Sequence, residues 1–190
     1  MSSVSRWLIL DRDGVINVDS DQYVRSVAEW QPIPGSIDAI AAFSKAGWVV
    51  TVATNQSGIG RGYFSRRTLY GMHAKLRKLV RRAGGEIAEI VFCPHTPEDN
   101  CDCRKPKPGL LHQLAKRTGL RLEDAVLVGD SMRDLEAGNA VGAELWLVRS
   151  GKGRETEVAL QKGTPSWASS LKVSDNLANV ARALLGPAYA

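Results

Sequence analysis

Short apolar runs rich in β-branched residues recur along this chain and alternate with longer stretches of helical period. The runs at 7–10 (WLIL), 48–53 (WVVTVA), 87–92 (IAEIVF), 125–128 (AVLV) and 145–148 (LWLV) are almost free of polar residues. A strand that is apolar at consecutive positions has both faces covered, the condition of a parallel sheet between helices. Between these runs, 36–46 carries Ile37, Ile40, Ala41 and Phe43 and stops at Gly47. The stretch 66–83 places Leu69, Met72, Leu76, Leu79 and Val80 on one stripe before Gly84 and Gly85. The helix predicted over 108–118 opens on proline and closes at Gly119, and that over 132–141 closes at Gly142. A last helix is expected near 176–185, with Ser174 and Asp175 available to cap it. The segment 151–170 is polar, contains Gly163, Pro165 and Ser166, and reads as a surface connection. The order βαβαβαβαβα predicts an α/β fold, a doubly wound, mostly parallel sheet with right-handed crossovers.

Composition narrows the class. With 190 residues the chain is expected to form a single domain over 1–190. Its 44% hydrophobic and 24% charged residues describe a core-forming globular sequence, not a disordered one. No run approaches the ~20 apolar residues that span a bilayer, so no membrane partner is expected. Asp11 interrupts the N-terminal region before a secretory core can form, which points to the cytoplasm. A net charge of +5 favours anionic partners in a general way. The basic stretch 75–82 (KLRKLVRR) interleaves its charges with Leu76, Leu79 and Val80, so it reads as the solvated face of a packed helix. No nucleic-acid partner is expected. With no exposed heptad or apolar stripe, a monomer is.

The placement of polar residues carries the chemistry. Asp11, Thr54 and Asp130 each follow the end of an apolar run, directly or after one glycine. In an open parallel sheet the carboxyl ends of the strands line the ligand crevice. Asp11 and Asp13, two apart in extended backbone, would crowd two negative charges on one side unless a cation sits between them. Hard carboxylate oxygens suit Mg²⁺. The sequence Ala53-Thr54-Asn55-Gln56-Ser57-Gly58 offers a hydroxyl, two amides and a glycine-rich backbone to an oxyanion. Arg104 and Lys105 precede a predicted helix N-terminus, a favourable place for an anion. Gly129-Asp130-Ser131-Met132-Arg133-Asp134 supplies a second acidic pair at a strand end. Carboxylates for a divalent cation, a hydroxyl and a lysine for phosphoryl oxygens, and a spare carboxylate add up to phosphoryl transfer.

The motifs DRDGV, TNQSG, RKPKPG and VGDSMRD, in that order on those strand ends, resemble the four motifs of the haloacid dehalogenase (HAD) superfamily of phosphohydrolases. The resemblance runs from about Leu8 to Gly153 and implies a HAD-like Rossmannoid fold. It implies Asp11 as nucleophile and Asp13 as general acid and base. Mg²⁺ would be held by Asp11, the backbone carbonyl of Asp13 and Asp130, with Asp134 orienting that shell. Thr54 and Lys105 would steady the transferring phosphoryl group. Arg104, Asp19, Gln22, Tyr23, Asn55, Gln56 and Ser57 would contact substrate. Within the superfamily, LDRDGVIN, ATNQSGIGRG and CPH…CDCRKPKPG look like the heptose 1,7-bisphosphate 7-phosphatases, with the histidinol-phosphate phosphatases as near relatives. That branch implies a small phosphorylated sugar as substrate, dephosphorylated at C7 on the way to ADP-heptose and lipopolysaccharide. Only one helix and a loop fit between the first two strands, so no cap domain is expected.

The cysteines form a separate signal. Cys93, His95, Cys101 and Cys103 make a C-x-H-x5-C-x-C loop over 93–103. Four such ligands suit a closed tetrahedral Zn²⁺ of structural type. The loop runs straight into Arg104 and Lys105, so ordering it would position both cations. A zinc-loop nucleic-acid binder using the basic helix is the alternative of another class. It leaves unexplained why acids sit at the strand ends, since acids repel phosphate backbones. His73 and His112 lie inside predicted helices, and Trp30, Trp48, Trp146 and Trp167 are read as packing residues.

Overall fold

In the computed structural model, six strands lie side by side and every neighbouring pair is parallel. They are β1 (Trp7–Leu10), β2 (Val49–Asn55), β3 (Glu89–Cys93), β4 (Ala125–Gly129), β5 (Glu144–Val148) and β6 (Lys172–Ser174). Their order is β3-β2-β1-β4-β5-β6. The structure describes residues 6–186, so both ends of the expected 1–190 unit lie outside the described residues.

Side chains alternate across the sheet, and each face has its own core. Leu8, Leu10, Val50, Val52, Val126 and Val128 point to one side, where Ile40, Phe43, Leu69, Met72, Leu76 and Val180 cover them. Those covering residues come from helices α1 (Ser36–Lys45), α3 (Arg66–Arg82) and α7 (Leu177–Leu185). Ile9, Ala53, Val91, Leu127, Leu145 and Leu147 point to the other, against Leu110, Leu111, Leu114, Leu135 and Leu160. These belong to α4 (Gly109–Thr118), α5 (Met132–Asn139) and α6 (Gly153–Lys162). The doubly wound prediction holds, and the continuous apolar strands are buried on both sides for the reason given above.

Four details differ from the sequence reading. The segment 151–170 is no plain connection: it contains α6, whose buried residues are only Gly153, Thr156 and Leu160. So thin a stripe gives little helical period. The three-residue β6 adds a sixth strand beyond the five expected, parallel to β5. Asn176, not Ser174 or Asp175, caps α7, its side chain accepting the Asn179 amide at 3.0 Å. On α3, Leu79 is half-buried while His73 takes a place in the buried stripe.

Between β1 and β2 stand the segment 11–35 and α1, and between β2 and β3 the one-turn α2 (Ser57–Gly60) and α3. Among the described residues no further element is inserted there. Among them, too, no helix is long and apolar enough to cross a membrane.

Candidate active site

The strand order reverses between β1 and β4, and a doubly wound sheet opens its ligand crevice at the carboxyl ends of the strands at such a point. Asp11 follows β1, and its amide donates to Val128 O of β4 at 3.0 Å. Asp130 follows β4. Both acids hang from adjacent strands paired in register, Leu10 opposite Val128. Gly14, at φ 81°, turns the chain away, as only glycine does readily. A Cβ on Gly14 would lie 2.0 Å from Asp130 Oδ2, and one on Gly151 would lie 2.2 Å from it. Two glycines therefore make the slot for the Asp130 carboxylate, and the Lys152 amide donates to it at 2.8 Å.

Lys105 reaches this point from the loop before α4. Its ammonium lies 2.8 Å from Asp11 Oδ1 and 2.6 Å from Asp134 Oδ1, and it donates to Ala53 O at 2.7 Å. Burial would weaken its charge, but Asp11 and Asp134 hold its pKa above the usual lysine range. The second oxygen of Asp134 accepts from the Ser131 hydroxyl at 2.6 Å and the Ser131 amide at 3.1 Å. Asp134 is thus tied on both sides, the arrangement of an orienting residue.

Carboxylate oxygens of Asp11, Asp130 and Asp134 all lie within 4.8 Å of one another. Burial, ahead of Asp134 and Asp13, pushes Asp11 up to about 7 despite Lys105. Burial, then Asp134 and Asp11, pushes Asp130 up to about 8. One buried ammonium does not neutralise this cluster. A hard divalent cation fits both its oxygen-only donor set and its excess of negative charge.

Asp13 is differently placed. Arg12, 1% exposed, grips it with Nη2 at 2.7 and 2.9 Å and Nε at 3.1 Å. Asn17 Nδ2 donates to Oδ1 at 2.9 Å and Gln56 Nε2 to Oδ2 at 2.7 Å. Burial would raise its pKa, but the Arg12 charge and these hydrogen bonds outweigh it and hold Asp13 below the usual carboxylate range.

The cysteine loop closes on itself. Cys93 Sγ lies 3.6 Å from both His95 Nδ1 and Cys101 Sγ, Cys101 Sγ 3.5 Å from Cys103 Sγ, and His95 Nδ1 3.3 Å from Cys103 Sγ. Sulfurs bound at about 2.3 Å around a tetrahedral zinc are roughly 3.8 Å apart, so the cluster nearly has that shape already. Burial raises the Cys93 and Cys103 thiols, whereas for Cys101 hydrogen bonding from Cys103 and Cys93 outweighs burial and brings it down to about 7.

Comparisons with known proteins agree with this constellation. Residues 102–178 match the family model described as "HAD-hyrolase-like". The D-glycero-beta-D-manno-heptose-1,7-bisphosphate 7-phosphatase of Pseudomonas putida is 57% identical over 180 residues, covering 95% of this chain and 99% of its own. That of Pseudomonas aeruginosa is 55% identical over 178 residues, covering 94% and 97%. The solved D,D-heptose 1,7-bisphosphate phosphatase of Bordetella bronchiseptica, complexed with magnesium and phosphate, is 45% identical, with a TM-score of 0.88 over 95% of this chain and 98% of that one. The chain belongs to this family of HAD-like phosphatases.

In this phosphatase the acids face a cavity of about 300 Å³. Of the residues the sequence singled out, Asp11, Asp13, Asp19, Tyr23, Asn55, Gln56, Ser57, Arg104, Lys105 and Asp130 line it. Gln22 does not join them: it is exposed, with its amide on Ser20 Oγ at 3.2 Å and its carbonyl on Arg25 at 2.8 Å. Thr54 is 1% exposed inside β2 and is not among the lining residues. Asn55 is at the wall, but its amide faces inward: it donates to Lys105 O at 3.0 Å and accepts from Lys105 N at 3.1 Å. These two bonds clamp the lysine backbone.

Sequence reasoning missed four residues of this phosphatase site. Arg12, between two acids, was given no role of its own. Arg61, Arg133 and Lys152 also line the cavity. Lys152 lies 3.9 Å from Asp19 and 3.6 Å from Asp21, across the mouth. Arg133 and Arg104 lie near enough that, after burial, the Arg133 charge is the main influence lowering Arg104. Among the described residues neither guanidinium has a carboxylate within ion-pair distance. Two guanidiniums without a carboxylate partner, Arg104 and Arg133, side by side in a cleft were the available signal, and linear spacing hides it.

Proposed function

We propose that this phosphatase removes the C7 phosphate of D-glycero-beta-D-manno-heptose 1,7-bisphosphate, in the cytoplasm, on the way to ADP-heptose and lipopolysaccharide. The observation that carries the chemistry is the juxtaposition of Lys105, Asp11 and Asp130 at the strand-order reversal. The 1,7-bisphosphate named for its relatives is a dianion at each end. The guanidiniums of Arg104 and Arg133, neither within ion-pair distance of a carboxylate among the described residues, suit the phosphate that stays on the sugar, since planar guanidiniums bind phosphate oxygens in pairs.

In the first half-reaction an Asp11 oxygen bonds to phosphorus in line as the bond from phosphorus to the C7 oxygen breaks. Asp13, ionised in the free protein, takes up a proton as the phosphate dianion approaches and raises its pKa, and gives that proton to the departing oxygen. In the second, water attacks the phosphorus of the aspartyl-phosphate and Asp13 takes its proton. The phosphorus–Asp11 bond then breaks, releasing inorganic phosphate and restoring the carboxylate. Lys105 offsets the repulsion between a carboxylate and an approaching phosphate dianion, and Thr54 steadies the same group. Magnesium held by Asp11, Asp130 and the Asp13 carbonyl would add positive charge at the transferring group. Zinc in the 93–103 loop would be structural, fixing the chain that leads into Arg104 and Lys105. We read the protein as one domain acting as a monomer.

The test compares kcat/KM for both anomers of the heptose bisphosphate, histidinol phosphate and fructose 1,6-bisphosphate, with Asp11→Asn as control. The β anomer should lead by about tenfold or more. A preference for histidinol phosphate, or substantial turnover by Asp11→Asn, overturns the reading.

A further inference from the structure

Gln56 lines the cavity, yet it is 4% exposed and each polar atom of its carboxamide is already engaged inside the protein. Nε2 donates to Asp13 Oδ2 at 2.7 Å and to Thr54 Oγ1 at 2.9 Å. Oε1 accepts from Arg12 Nη2 at 3.1 Å. The orientation is forced by its neighbours. A guanidinium can only donate and an ionised carboxylate can only accept, so a flipped amide would set oxygen against carboxylate and NH₂ against guanidinium. Both amide hydrogens are therefore fixed, one on Asp13 and one on Thr54.

Two consequences follow for the reacting groups. Thr54 enters the network as an acceptor, so its own hydroxyl hydrogen remains for an oxyanion. Asp13 in turn is gripped on one flank by Arg12 and on the other by the amide, which fixes the plane of its carboxylate. Asn17 holds Oδ1 from a third direction at 2.9 Å.

We propose that Gln56 is a positioning residue for hydrolysis of the aspartyl-phosphate: its amide sets Asp13 to receive the proton of the attacking water. This rests on the phosphatase role given above to Asp13. The sequence reading of Gln56 as a substrate contact is the alternative the test below decides.

Gln56→Met keeps the side-chain volume and removes all three bonds. With heptose bisphosphate, kcat should fall by about tenfold or more and KM should fall with it, because slowing the second of two chemical steps lowers both. With p-nitrophenyl phosphate, whose leaving group needs no protonation, the variant should show a burst of nitrophenolate approaching enzyme stoichiometry before a slow steady phase. That burst marks an acyl-phosphate that forms and waits for water. In an Asp13→Asn background the substitution should cost little more, because it acts through Asp13. A raised KM with kcat unchanged would instead make Gln56 a substrate contact. Equal losses with both substrates, no burst, and full additivity with Asp13→Asn would make it merely structural. Should Gln56→Met fail to fold, Gln56→Glu keeps the shape, replaces the NH₂ donor with oxygen, and is scored in the same way. Failure of the phosphatase reading itself shows separately, as turnover surviving Asp11→Asn.

Discussion

The Lys105 ammonium lies 2.8 Å from Asp11 Oδ1, although the two residues come from opposite halves of the chain. The cysteine loop and Asn55 hold the lysine from behind, and Asp11 and Asp134 hold it in front. Replacing Lys105 with methionine should lower kcat/KM by roughly 10²–10³, the range seen when one charge-stabilising donor is removed from a reacting site. It should also destabilise the fold by about 3–5 kcal/mol, since Asp11 and Asp134 would face each other unpaired. Steady-state kinetics and urea unfolding measure both, and a stable variant with near-normal turnover would contradict the placement.

Gly14 and Gly151 should tolerate no side chain. Each added Cβ lies within van der Waals overlap of Asp130 Oδ2, at 2.0 and 2.2 Å, on backbone at φ 81° and 57°. Gly151→Ala should cut activity on the order of a hundredfold, in line with the loss expected when a carboxylate of the reacting site is displaced. It should weaken apparent affinity for magnesium in the same assay. Unchanged magnesium dependence would show that Asp130 is not held by this slot.

Asp11 and Asp130, at about 7 and 8 in the metal-free fold, bind protons more readily there than in the unfolded chain. Their favourable share is complete below the usual carboxylate pKa near 4 and is lost as pH rises through 7–8. Magnesium replaces those protons, so it should raise Tm more at pH 8 than at pH 5. Equal stabilisation at both pH values would argue against these acids as ligands.

His73 titrates in the opposite sense. Burial, then the neighbouring Arg12 charge, pushes it down to about 3, and its Nε2 is buried without a partner. The unfolded chain takes up this proton near pH 6.5 and the folded one only near 3. Stability should therefore fall with pH across that window, by at most about 1.4 kcal/mol per pH unit from this residue. Denaturant titrations of the original protein and of His73→Leu between pH 7 and 4 should diverge accordingly.

Zinc should be found in equimolar amount, and Cys101→Ser should reduce it. Chelation should loosen the 93–103 loop and lower kcat/KM through Arg104 and Lys105, which follow Cys103 directly. Proteolysis of the chelated protein should cut within that loop first. Full activity with no zinc bound would show that the loop orders itself.

The architecture was legible because its strands are long enough and apolar enough to have no other reading, and because Asp11 and Asp130 sit where they end. What escaped was weak or nonlocal. β6 is three residues, and α6 buries too few apolar side chains to show a period. Cys93, His95, Cys101 and Cys103, which come together in the fold, are close in sequence and could be read from spacing. The inward contacts of Asn55 and Gln56 were hidden because a carboxamide looks the same whether it meets a ligand or a neighbour forty or more positions away. Arg133 and Lys152 were missed because neither sits in a motif of its own, and their relevance lies only in what they face.

The register that sets Leu10 opposite Val128 has an evolutionary reading. Asp11 and Asp130 are located by the main-chain ladder between two central strands, whereas the rim at 19–23 and the cysteine loop hang beyond that ladder. Mutations that reshape the rim can retune which phosphate ester is accepted while the bond-breaking apparatus drifts hardly at all. A scaffold so divided can diversify its clientele without first relearning its chemistry.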